Sequence, residues 1–171
     1  MRTNKGFTLI ELILVVAILA LFAGGVVQGI SYITYADTKR CANRIDAAID
    51  QVRLDAMSRA VKPCLYLYEY DGSYYMKIVD STAISPILDN KGTRLANSQI
   101  RIAYRTTSMS DADPDKLISG GTFMKLDFVK STGGIAEYNS TFYNRILVKD
   151  NDGTVKYTIT MVQGTGKHFI E

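Results

Sequence analysis

From residue 12 to residue 27 the chain has no charged or polar side chain: Leu, Ile, Val, Ala and Phe follow one another, with Gly24 and Gly25 near the end. Such a run cannot lie on the surface of a water-soluble domain. About 20 apolar residues in a helix match the ~30 Å hydrocarbon thickness of a bilayer, so residues 7–36 read as a hydrophobic transmembrane helix. One residue breaks the pattern at its head. Glu11 stands inside the apolar zone, where an ionised carboxylate costs at least about 2.5–3.5 kcal/mol and is normally absent or functional. Residues 1–6 are polar and basic (Arg2, Lys5) and end in Gly6. Those charges hold this end on the cytoplasmic side.

Two ordinary readings compete. A plain membrane anchor explains the apolar run but not Glu11. A secretory signal has an apolar core of only about 7–15 residues followed by a small-residue cleavage site. Ala23-Gly24-Gly25 offers such a site, but that reading leaves Glu11 and the Gly6-Phe7 junction unexplained.

The order Lys5-Gly6-Phe7-Thr8-Leu9-Ile10-Glu11 ahead of an apolar helix resembles the start of type IV prepilins and of type II secretion pseudopilins. The resemblance implies removal of the leader 1–6 between Gly6 and Phe7 by a prepilin peptidase, and methylation of the new Phe7 amine by the same enzyme. It also implies an inner-membrane assembly platform and a helical filament of pilins or pseudopilins packed through their N-terminal helices. Glu11 would set the register between subunits. Filament-forming relatives soften their helix in the zone where Gly24, Gly25 and Gly29 fall, and each glycine weakens a helix by about 1 kcal/mol relative to alanine. The alternative for these glycines is close helix packing in the membrane.

From residue 37 the pattern turns amphipathic. Cys41, Ile45, Ala48, Ile49, Val52, Ala56 and Ala60 recur at three- and four-residue spacing, with Lys, Arg, Asp and Asn between them. This predicts that residues 37–62 continue the same helix with one buried face, closed by Pro63. Beyond it the period falls to two. Strands are expected over 64–70, 74–79, 99–104, 122–129, 145–149, 154–162 and 167–170, with turns at Asp71-Gly72-Ser73, Thr132-Gly133-Gly134 and Asn151-Asp152-Gly153. Residues 81–98 and 106–121 read as loops. The fold class is therefore α+β: a long N-terminal helix, transmembrane half then amphipathic half, packed on an antiparallel sheet in a head domain of residues 63–171.

The two cysteines, Cys41 and Cys64, flank the second half of the helix. That segment is about 30 Å long at 1.5 Å per residue, and a disulfide needs Cα atoms within about 7 Å. Both read as buried or free thiols, with Cys41 in the core.

No enzymatic constellation emerges, and no cofactor or metal is expected. His168 is the single histidine, and no phosphate-cradling glycine loop occurs. Asp111, Asp113 and Asp115 have the alternate spacing that opens a calcium loop, and some pilin-like proteins hold calcium in this part of the domain. Lys116 and Thr122 replace the required glycine and glutamate, so a solvated acidic loop is the reading here.

The strand-rich tail, with Gly164-Thr165-Gly166-Lys167, looks most like the H-type minor pseudopilins and related minor pilins. A structural subunit, minor or major, is thus expected: first a single-pass precursor in the cytoplasmic membrane, then part of an extracellular pilus or pseudopilus. Some minor pilins of this group bind DNA through arginines after a C-terminal glycine. Here Lys167 and His168 stand in those places. Arg145 and Lys156 would have to join Lys167, since DNA binding usually takes several phosphate contacts. Loss of Arg2 and Lys5 lowers the formal charge from +3 to +1, so nucleic acid is not the favoured partner. An anchored surface domain that never assembles is the remaining alternative.

Overall fold

The computed structural model describes residues 8–80 and 88–171, with the side chains of residues 22–34 outside that description. One helix and nine strands are described: α1 (Leu9–Ser58), β1 (Pro63–Tyr70), β2 (Ser73–Asp80), β3 (Thr93–Ala96), β4 (Ile100–Thr106), β5 (Lys116–Leu117), β6 (Phe123–Leu126), β7 (Tyr143–Asp150), β8 (Val155–Met161) and β9 (His168–Ile170). The chain divides into two units, Met1–Tyr35 and Ala36–Glu171.

In the first unit, every side chain described along α1 as far as Leu21 is exposed. Leu9 is 77 % exposed and Leu21 79 %. A helix that is apolar all round cannot rest in water and needs a bilayer or other helices around it. Among the described residues no helix is long and apolar enough to cross a membrane. The expected spanning segment, 7–36, lies partly outside the described residues, as do the side chains around Gly24, Gly25 and Gly29.

In the second unit the amphipathic half of α1 behaves as its spacing predicts. Cys41, Ile45, Ala48, Ile49, Val52 and Ala56 are buried, together with Thr38 and Ala42. Ala60 is not: it is exposed, because α1 stops at Ser58. Proline restricts only the residue before it, so Pro63 alone does not set this boundary. The chain uses residues 59–62 to turn back, and β1 begins at Pro63 itself.

The strands form two antiparallel sheets where one was expected. Their orders are β3-β2-β1-β6 and β5-β4-β7-β8-β9. The main core lies between them and α1: Leu65 and Leu67 from β1, Met124 and Leu126 from β6, Ile100 and Ile102 from β4, Ile146 and Val148 from β7, and Ile159 from β8. The second face of β1 is covered as well. Cys64, Tyr66 and Tyr68 pack with Tyr75, Val79, Leu88 and Phe123 into a smaller cluster, so six successive residues of β1 are buried. Strands β3 and β5 fall in segments that read as loops.

The turns explain the hairpins. Asp71 and Gly72 both have positive φ, +48° and +67°, which matches the twist of β1 and β2 across a two-residue turn. At the β7–β8 turn Gly153 has φ +86°, and Asp150 closes the loop by accepting the Thr154 N–H at 2.8 Å through its carboxylate.

The acidic loop is not simply solvated. Asp113 accepts the Ser110 N–H at 2.7 Å. Asp115 takes Arg105 at 2.8 Å and Lys149 at 2.7 Å, all three side chains being less than one-fifth exposed. Burial pushes the Asp115 carboxyl up, but the hydrogen bonds and charges of Lys149 and Arg105 outweigh it and hold the group below its ordinary value. Asp113 and Asp115 thus serve separate partners. Among the described residues no group of three acidic, His or Cys side chains is arranged to hold a metal.

Both cysteines are free and buried. Burial pushes the Cys41 thiol up to about 12. Cys64 is raised by burial first and by the Asp127 charge second, and its S–H donates to the Val79 carbonyl at 3.4 Å. Thiolate is the reactive form. Neither thiol should therefore react with a maleimide at pH 7.5 in the folded protein, whereas both should react within minutes in denaturant. Counting labels by intact mass in the two conditions checks this, and rapid labelling of the native protein would contradict it.

Candidate processing and assembly segment

The first described turn of α1 is a reciprocal cap. Thr8 N–H and Thr8 Oγ1–H each donate to Glu11 Oε2 at 2.9 Å. In return, Glu11 N–H reaches Thr8 Oγ1 at 3.4 Å. A Thr followed three residues later by Glu is the sequence signature of this arrangement, which satisfies backbone donors a helix start leaves unpaired. The carboxylate also sits at the positive end of the helix dipole. Sequence reasoning gave Glu11 the task of setting the register between subunits. The Thr8-x-x-Glu11 spacing was the signal for a second, local task.

The two tasks do not collide. Both Thr8 donors use Oε2, so Oε1 remains for a further cation. Thr8 holds the carboxylate in place, as a register-setting group requires. Gly6 and Phe7, the expected cleavage and methylation positions, lie outside the described residues.

Residues 1–27 match the family model of the prokaryotic N-terminal methylation motif. This match supports a type IV pilin-like prepilin, cut by a prepilin peptidase and built for assembly into a filament. Gly6, Phe7, Glu11, Gly24 and Gly25 fall within the matched stretch. No curated protein and no solved structure matches the chain.

The residues weighed for DNA contact are spread over the head domain. His168 points inward with its side chain only 4 % exposed, and its Nε2 lies 3.2 Å from Asp46 and 3.7 Å from Asp50 on α1. A group flanked by two carboxylates is poorly placed to receive a phosphate. Lys156 is paired with Asp150 at 3.1 Å. Arg145 stands opposite Thr160, four residues along β8 from Lys156, so their levels differ by about 13 Å. Lys167 is exposed beyond the other end of β8, where its carbonyl accepts the Val162 N–H at 2.8 Å. Lys156 therefore stands apart, paired with Asp150, while Arg145 and Lys167 lie toward the opposite end of β8.

That corner has a structural task. Gly166 is buried at φ +64°, and a Cβ there would run into the Gly133 carbonyl oxygen and press on Arg53. Arg53 Nε donates to the same Gly133 oxygen at 3.2 Å. Gly166 thus lets two loop backbones meet on the helix.

Proposed function

We propose that this chain is a structural subunit of a type IV pilus or type II secretion pseudopilus, and not an enzyme. The observation that carries the reading is the bare apolar face of α1 through Leu21 headed by a single capped carboxylate. Left in water, each such Leu, Ile or Val forgoes roughly 1.5–3 kcal/mol of burial. The bilayer covers this surface in the precursor, and the helices of neighbouring subunits cover it after assembly. The finer assignment is a minor subunit of the H-type pseudopilin group. It is supported by the order of elements among the described residues, one long helix and then strands, and by the glycine-rich tail ahead of β9.

Processing tests the reading directly. Intact mass of the protein extracted from membranes should give a chain that begins at Phe7, heavier by one methyl group. A chain beginning near Val26 would indicate ordinary signal cleavage and overturn it. Replacing Gly6 by valine should leave most of the protein as precursor, because the scissile position then carries a branched side chain where glycine has none.

A further inference from the structure

Asn139 occupies the tip of a two-residue turn. Tyr138 and Thr141 face each other across an isolated antiparallel bridge. Tyr138 N–H donates to Thr141 O at 2.9 Å, and Thr141 N–H returns to Tyr138 O at 3.2 Å. Between them Asn139 and Ser140 have φ of +50° and +60°, and both residues are exposed. Asparagine tolerates this left-handed region better than most residues, and the turn thrusts its carboxamide outward.

The sequence at this tip is Glu137-Tyr138-Asn139-Ser140-Thr141. Of the seven asparagines in the chain, Asn139 alone has a Ser or Thr two residues later. That is the acceptor pattern for N-linked sugar on an exported surface loop. Two further observations agree with it. Glu137 is exposed two residues before the asparagine and offers a carboxylate to a cation of an approaching enzyme. A hollow of about 360 Å³ opens beside the tip, lined by Tyr104, Tyr138, Tyr143, Ser108 and Lys116 as well as Asn139. The Tyr104 and Tyr143 rings meet edge to face at 5.2 Å, and Tyr138 stacks on Tyr143 at 6.2 Å. Aromatic edges interleaved with hydroxyls give an attached sugar ring both an apolar wall and hydrogen-bond partners.

We propose that Asn139 is an N-glycosylation site. The co-reactant is an oligosaccharide joined through its anomeric carbon to a lipid pyrophosphate, and an oligosaccharyltransferase of the exported membrane face catalyses the transfer. The Asn139 Nδ2 attacks the anomeric carbon and forms the N–C bond. The bond from that carbon to the phosphate oxygen breaks, and the lipid pyrophosphate leaves with the electron pair. The amide loses one proton to a base of the enzyme, and no group is oxidised or reduced. The inference rests on the proposed function in one respect, the export of the head.

The test uses the full chain in a bacterium whose membrane holds such a transferase and its lipid-linked glycan. A second version carries the same Glu-Tyr-Asn-Ser-Thr sequence on a flexible C-terminal extension, as a reporter of export. Intact mass and glycopeptide sequencing should find one glycan on the native chain, at Asn139, and two on the extended one. The glycan at Asn139 should vanish in Asn139→Gln and Thr141→Val, persist in Thr141→Ser, and fall several-fold in Glu137→Gln. The extension should stay modified in every variant, which separates loss of the acceptor from failure to fold or export. Sugar on the extension with Asn139 bare would overturn the proposal and leave the pilin reading standing. Sugar on neither would show that the head is not exported, and both would fall.

Discussion

Glu11→Ala is expected to leave membrane insertion and cleavage after Gly6 unchanged, yet to cut the protein found in sheared surface filaments by tenfold or more. In the proposed assembly, Phe7 carries a positive amine after cleavage, and that amine enters an apolar core of packed helices. Leaving that charge unpaired there costs several kcal/mol. The Glu11 carboxylate of an adjacent subunit offsets this at one axial stagger only. The cap geometry allows a sharper experiment than a single deletion. Glu11→Gln keeps an oxygen for the Thr8 N–H and Oγ1–H, now seen at 2.9 Å, but removes the charge. Thr8→Ala keeps the charge and removes half of the cap, a loss of about 0.5–2 kcal/mol at the helix start. If charge pairing sets the register, Glu11→Gln should fail to assemble like Glu11→Ala, while Thr8→Ala should assemble at reduced yield. Normal assembly of Glu11→Gln beside failure of Thr8→Ala would make the cap the whole role of this glutamate.

Gly166→Ala should be the most damaging single methyl in the head. An L side chain at φ +64° costs about 1–2 kcal/mol, and the added carbon also strikes the Gly133 carbonyl oxygen, a backbone atom with no rotamer to escape into. A loss on the order of 3 kcal/mol or more is a large share of the ~5–15 kcal/mol that holds a domain together, and should lower the melting temperature by about 10 °C. Gly153→Ala supplies the control. Its φ is +86°, but nothing lies within 4 Å of the added Cβ, so only the conformational cost of about 1 kcal/mol applies. Thermal unfolding of the two variants, followed by circular dichroism, measures the difference. Equal shifts would show that the Gly133–Gly166 contact yields without cost.

Periodicity carried the elements that own a long buried face. The helix face from Cys41 to Ala56 and the strands β1, β2, β4, β7 and β8 were all legible, because each repeats its apolar side chains often enough to define a period. The turns were legible because Asp71, Gly72 and Gly153 are residue types that accept the left-handed backbone found there. What failed was short or two-sided. β5 has two residues, both exposed, and β3 buries only Leu95 and Ala96 of its four, so neither repeats anything. The second sheet stayed hidden because a strand's pattern states which residues are apolar, not which neighbour hydrogen-bonds to it. β1 could have signalled the extra layer, since Cys64 and the large apolar bodies of Tyr66 and Tyr68 alternate with Leu65 and Leu67. At the candidate site, Glu11 was found by its cost in hydrocarbon. Its cap was overlooked for the opposite reason: a favourable local bond leaves no anomaly in a sequence.

The clasp between β9 and α1 also fixes an order of events in time. Asp46 and His168 meet at 3.2 Å although roughly 120 residues separate them along the chain, and contacts of such long sequence separation form late and slowly. In the proposed export from an N-terminal anchor, Asp46 emerges first and His168 roughly 120 residues later. The helix must wait, one face bare, while sheet after sheet emerges. Only when β9 arrives can it complete its sheet and seat His168 between Asp46 and Asp50. A chain stalled or clipped before His168 would keep α1 and most of its core yet lack this closure, so the closure marks delivery of the chain as far as β9.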